Sequence, residues 1–208
     1  MASGKYGNSR AIDVSDWGRP IARFFANRLK DTPVSVIMVT NFHLFASIFC
    51  AWLILQEMIL EGCIILVIKG VIDAVDGELA RIRKTPSHVG RYWDTVADTI
   101  GLILVMCAFG HFLDWSYMLT GCLIFAILFQ YSLFNHFSIR ARMIGAGDTT
   151  SRIDEKICPV AQPWEKQKHV NFFHKIYLIG FSWQDQIIDA LAGLSLIHIS
   201  EPTRRRGI

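Results

Sequence analysis

Four aspartates carry most of the chemistry this sequence offers. Asp73 and Asp76 are three residues apart and Asp94 and Asp98 four apart, so on helices each pair shares a face. If the two helices are antiparallel neighbours across the short turn between them, four carboxylates converge. Unpaired and out of water they would repel, so the cluster must bind cations or take up protons. Oxygen donors suit hard ions such as Mg²⁺ or Mn²⁺, which readily share their coordination with phosphates. Gly77 and Gly90 stand beside the acids, where a missing side chain lets a ligand or another helix approach the backbone. Arg81, one turn beyond Gly77, can pair with a phosphate or with one of the acids. Lys69, one turn before Asp73, reads as a snorkelling side chain or an ion pair with Asp73.

The elements that must position these residues read as membrane helices. Of the 208 residues, 52% are hydrophobic, and the mean hydropathy of +0.34 is high for a soluble globule. A net charge of +3 is too mild for the electrostatic footprint of a nucleic-acid binder. No signal-peptide pattern opens the chain. The five cysteines are scattered, with neither disulfide-framework nor metal-ligand spacing. A bilayer-spanning helix needs roughly 20 mostly apolar residues, because lipid cannot satisfy backbone polar groups. Residues 34–56 and 115–139 contain no formally charged side chain. Residues 59–77 and 94–113 carry charges that can sit at an interface or line a polar cavity. The expectation is therefore an all-α polytopic bundle with four transmembrane helices in this chain.

Basic residues set the orientation. Lys5, Arg10, Arg19, Arg23, Arg28 and Lys30 precede the first span, Arg81, Arg83, Lys84 and Arg91 lie between the second and third, and Arg140, Arg142, Arg152 and Lys156 follow the fourth. The opposite turns, 57–62 and 110–115, contain no Lys or Arg. The N-terminus and the acid-bearing turn are thus expected in the cytoplasm. Val14, Trp17, Ile21, Phe24 and Phe25 recur at roughly helical spacing among arginines, as in an amphipathic helix on an anionic leaflet. Residues 145–168 read as loop and 169–192 as an amphipathic helix. Four segments result: a cytoplasmic leader (1–33), a transmembrane core (34–142), a cytoplasmic loop and helix (143–193), and a tail (194–208). Residues 194–204 read LSLIHISEPTR, the in-frame translation of a string resembling the transposase adapter of sequencing libraries. The tail is therefore expected not to be native, and the natural chain to continue past Gly193 into further spans.

The residues from Asp73 to Asp98 follow the pattern D-x2-D-G-x2-A-R-x8-G-x3-D-x3-D, which resembles the signature of the CDP-alcohol phosphotransferase (CDP-alcohol phosphatidyltransferase) family at every fixed position. The resemblance implies six transmembrane helices, four of them present here, around a cavity open to the cytoplasm, commonly in a homodimer. It implies that Asp73, Asp76 and Asp94 ligate one or two Mg²⁺ or Mn²⁺ ions. Asp98 is implied as a further ligand or as the general base on the acceptor hydroxyl. Asp73, Gly77, Ala80, Arg81 and Gly90 would line the CDP site. The reaction implied moves a substituted phosphate, a phosphatidyl group where CDP-diacylglycerol is the donor lipid, onto a small alcohol or sugar-phosphate acceptor and releases CMP. Its setting would be phospholipid biosynthesis in the cell inner or plasma membrane. Val36-Ile37 stand where many members have Pro-Asn before a Thr, here Thr40, so the resemblance does not carry nucleotide contacts over to the first span. Arg140 and Arg142 resemble an Arg-x-Arg element suited to an acceptor phosphate, or anchor the helix on the positive-inside side.

Two other functions fit parts of the pattern. A Mg²⁺-dependent polyprenyl transferase also uses aspartate-rich motifs, but lacks the Gly-x2-Ala-Arg between them. A cation transporter would need acids along a path, whereas these four cluster at one edge. His43, His111 and His136 stand alone on their helices and read as packing residues.

Overall fold

The structure is a computed structural model and describes residues 18–144 and 157–200. Among the described residues there are six helices and no strand: α1 (Arg19–Leu29), α2 (Val36–Leu55), α3 (Ile59–Arg83), α4 (His88–Phe112), α5 (Tyr117–Ile144) and α6 (Gln167–Ser200). The chain is an all-α helical membrane bundle.

Local chemistry places the ends of the core helices. Ser35 caps α2 by accepting from the Met38 N–H at 3.1 Å, and Ser87 caps α4 by accepting from the Gly90 N–H at 2.8 Å. Glu57, Lys84 and Asp114 adopt left-handed φ values of 61°, 54° and 52°. They follow α2, α3 and α4, letting the chain reverse within a few residues.

Three described helices are long and apolar enough to cross a bilayer: Val36–Leu55, His88–Phe112 and, within α5, Tyr117–Phe137. The 25 residues of α3 would also reach across, but Glu61, Lys69, Asp73, Asp76 and Glu78 keep it outside that apolar class, so the structure gives three such helices rather than the expected four. Phe42, Phe45, Phe49 and Trp52 of α2 are 40–62% exposed. In water such a surface would drive aggregation, whereas hydrocarbon solvates it.

Close packing concentrates on α2, which lies against both α3 and α4. A Cβ added to Gly101 on α4 would stand 2.6 Å from Ser47 Oγ on α2. Only glycine permits that approach. On the other side, Ala22 and Ala26 of α1 are buried with Val39, Val75 and Leu79, while Ile21, Phe24 and Phe25 stay exposed. That is the two-faced surface expected of the interfacial helix; Val14 and Trp17 lie outside the described residues. Arg83, at the end of α3, donates to the carbonyls of Leu29, Lys30, Thr32 and Val34 at 2.6–3.0 Å. One guanidinium thereby ties the α1–α2 connection to α3.

The backbones of α3 and α4 do not approach each other closely. The antiparallel contact expected from the short turn is absent, and α2 stands as a shared floor instead. Both helices also run further than the sequence suggested. Arg81, Arg83 and Arg91 are helical, leaving residues 84–87 as the turn. Glu165 holds that turn from below, accepting from Ser87 Oγ at 2.7 Å and the Val89 N–H at 2.8 Å, while Trp164 Nε1 donates to Pro86 O at 3.0 Å. Buried Tyr92 packs on His174 and Tyr177 of α6. The loop expected over 145–168 lies outside the described residues up to position 156. Helix α6 continues through Gly193 to Ser200, so its backbone marks no junction at 194; residues 201–208 lie outside the described residues.

Candidate functional site

The helical period puts Asp73, Asp76, Gly77 and Ala80 on one face of α3, and Gly90, Asp94 and Asp98 at four-residue steps along α4. These two stripes face each other over α2. Donor atoms of Asp73, Asp76 and Asp94 lie within 4.8 Å of one another, as do those of His43, Asp73 and Asp98. The structure thus brings together all four aspartates that the sequence singled out, from helices whose backbones stay apart.

Each acid is held by specific partners. Asp76 is only 5% exposed, and its Oδ2 accepts from Thr40 Oγ1 at 2.7 Å. Asp98 Oδ1 accepts from Lys69 Nζ at 3.0 Å and lies 3.2 Å from Nε2 of fully buried His43. Lys69 therefore reaches across to α4 and bonds Asp98, where the sequence suggested snorkelling or Asp73. Asp94 Oδ1 is buried with no hydrogen-bond partner.

That orphaned oxygen tests whether the residues suit a metal ion. A buried carboxylate atom without a donor is costly unless a cation completes it. Lys69 places one ammonium beside Asp98. The donors of Asp73, Asp76 and Asp94 are oxygens within one coordination sphere's reach, the chemistry of a hard divalent ion. The residues fit such an ion.

The small and basic motif residues surround the acids. Gly77 is not required by protein packing, since a Cβ there would meet only the Arg81 guanidinium, at 3.5 Å or more. Ala80 is half-buried beside it. Gly90 is buried, and a Cβ would press Ser87 Oγ at 3.2 Å, so its small size serves the cap of α4. Arg81 bonds Glu78 at 3.0 Å, and Arg23 of α1 approaches the same carboxylate at 3.6 Å. Buried Glu78 thus anchors the arginine, a link the sequence reading did not include. Arg140 and Arg142 fall on the last turns of α5, and their side chains lie outside the described residues.

Helix α2 supplies what the sequence reading missed. Thr40 bonds Asp76, Asn41 accepts from Trp93 Nε1 at 2.7 Å, and His43 faces Asp98. The available signal was their spacing: Thr40, His43 and Ser47 step along one helix face, a polar line on an otherwise apolar span. The burial of that line supports an inward-facing site.

The model of the family described as CDP-alcohol phosphatidyltransferase matches residues 35–196, most of the chain. No curated protein and no solved structure matches it.

Proposed function

The chain belongs to the CDP-alcohol phosphatidyltransferase family, whose members are transferases of substituted phosphate groups, and we propose that it moves a phosphatidyl group from CDP-diacylglycerol to a small alcohol or sugar-phosphate acceptor, releasing CMP. The observation that carries this reading is the pair of aspartate stripes on α3 and α4, converging without helix contact over α2. A gap lined by carboxylates and small residues suits a pyrophosphate accompanied by divalent cations far better than it suits helix packing.

In this reading Asp73, Asp76 and Asp94 would hold a divalent ion. When bound, Mg²⁺ or Mn²⁺ supplies charge neutralisation for the pyrophosphate and for the departing CMP. The bare backbone at Gly77 and the small side chain of Ala80 leave room for the nucleotide, with the capped start of α4 at Gly90 opposite. Arg81, fixed by Glu78 at 3.0 Å, directs its half-exposed guanidinium toward phosphate. Asp98 receives the acceptor hydroxyl proton as that oxygen bonds to phosphorus and the phosphorus–oxygen bond to CMP breaks. Lys69 and His43 keep its carboxylate in one orientation. The acid-bearing end faces the cytoplasm, supported by the Lys and Arg of 81–91 and of the N-terminal segment. A homodimer follows from the family resemblance.

The test is CMP release by the purified full-length chain, with CDP-diacylglycerol and a panel including inositol phosphate, glycerol phosphate and serine. Divalent-metal-dependent release with one acceptor is the expected result. No CMP from any donor and acceptor pair would sink the proposal.

A further inference from the structure

Helix α1 is joined to the nucleotide side of α3 through one buried carboxylate. Glu78 stands next to Leu79, which packs with Val75 on Ala22 and Ala26 of α1, and its side chain is only 7% exposed. Two guanidiniums reach the same oxygen, Oε1: Arg81 Nη2 of α3 at 3.0 Å and Arg23 Nε of α1 at 3.6 Å. The two arginines differ in what lies beyond them. Arg81 folds back over the motif, where a Cβ on Gly77 would stand 3.5 Å from its Nη2. Arg23 comes from outside the motif, on a helix that contains no acidic residue.

A phosphate approaching Arg81 responds to the charge of the whole cluster. Arg81 with Glu78 alone is a neutral pair, so the carboxylate that orients the guanidinium also cancels its charge. With Arg23 present, two guanidiniums on one carboxylate leave one positive charge in excess. Glu78 can then orient Arg81 without silencing it. The burial of Glu78 strengthens this coupling, because little water surrounds the shared oxygen. The outward sides of the arginines, 42% and 54% exposed, are screened by water and keep the effect moderate.

We propose that Arg23 of α1 belongs to the donor site: as the second counter-ion of Glu78, it leaves Arg81 with a net positive charge for the CDP phosphates. The proposal rests on the reading of the cleft as a CDP-alcohol site, and it gives the interfacial helix a part in donor affinity. Arg23 acts through Glu78 and is a positioning residue. Its effect therefore falls on nucleotide binding and not on the transfer step.

The experiment measures the affinity of the full-length chain for soluble CDP by calorimetry, in nanodiscs of zwitterionic lipid with Mg²⁺. CMP release from CDP-diacylglycerol is followed in parallel. Arg23→Met and Arg23→Gln should each weaken CDP binding by about three- to fivefold at low ionic strength, the upper part of the range for partly exposed ion pairs. The loss should shrink as salt screens the cluster. At saturating CDP-diacylglycerol, kcat should stay within about twofold of wild type. Arg23→Lys, which keeps the charge, should bind as wild type does. The deciding variant combines Arg23→Met with Glu78→Gln, removing one charge of each sign and restoring the excess positive charge. Its affinity should return to within about twofold of wild type. A double variant as weak as Arg23→Met, or weaker, would overturn the proposal, since that is what loss of α1 docking alone produces. Unchanged affinity in both neutral variants would overturn it too. A wild type that binds CDP and releases CMP, with Arg23→Met altering neither, rejects the part of α1 alone, whereas a wild type that neither binds CDP nor releases CMP rejects the transferase reading beneath it.

Discussion

Replacing Thr40 by valine removes one hydroxyl at nearly constant shape, and the structure says what that hydroxyl does. Its Oγ1 donates to Asp76 Oδ2 at 2.7 Å, between residues 1% and 5% exposed. A hydrogen bond to a charged group is worth about 1.5–3 kcal/mol, which corresponds to about 10- to 150-fold in an equilibrium constant. Thr40 acts through Asp76, so the loss should fall on metal affinity. Partners behind a metal ligand typically contribute about 10- to 100-fold there. The expected result is a Mn²⁺ requirement for CMP release shifted upward by about 10- to 100-fold, with turnover at saturating metal within about threefold of wild type. Thr40→Ser, which keeps the hydroxyl, should stay near wild type. Direct Mn²⁺ binding must shift in parallel with activity. If turnover collapses while metal dependence is unchanged, Thr40 touches substrate, and the assignment of Asp76 as its working partner is wrong.

Other residues give sharper or coarser tests. Asp94→Asn should reduce CMP release to background, as should excess chelator on the wild type; full activity in chelator would refute metal dependence. Asp98→Asn should lower kcat by at least about a hundredfold with CDP-alcohol binding retained, as expected for a base; loss of donor and metal binding together would instead make it a ligand. Arg83→Met should cost about 3 kcal/mol, since four carbonyls lose a charged donor; faster tryptic cleavage after Lys30 reads this, and an unchanged digestion rate would refute the tie. Burial alone would raise Glu165, but the Ser87 hydroxyl and the N–H groups of Val89, His88 and Gln162 outweigh it and hold the carboxyl below its usual range. Its contribution to stability is thus full above the unfolded value of about 4.3 and is lost as pH falls through the folded one. The wild type should lose thermal stability in that acid range more steeply than Glu165→Gln, and parallel pH profiles would count against the tie.

The fold class and the acids were legible because both are written locally. Hydrophobic runs of span length report membrane helices, and fixed aspartate spacing reports a helix face. What was not legible depends on partners far apart in sequence. Thr40 and Asp76 are 36 positions apart, and Lys69 and Asp98 are 29. A single threonine or histidine on an apolar helix gives no period that names its partner. The separation of α3 and α4 was hidden for a different reason. A short turn fixes the closeness of helix ends, but leaves the angle between axes to packing. Here α2 decides it, through contacts such as Ser47 with Gly101 that no local pattern reports. Arg83 illustrates the same limit, since its charge read as membrane orientation while its geometry serves four carbonyls.

The distribution of close contacts explains why the site lies where it does. In a bilayer, apolar side chains gain little by leaving lipid, so helices associate where small residues let backbones meet. This chain puts such residues at Gly101 against Ser47, and at Ala22 and Ala26 against α3. It puts its acids on the two helices that do not meet. The arrangement is consistent electrostatically, since helices pressed together over four carboxylates would have to desolvate them. Ser47 lies one turn beyond His43, and Gly101 just under one turn beyond Asp98, so the close approach of α2 to α4 at Gly101 lies immediately past the acids. Past the acids, α4 is thereby held close to α2.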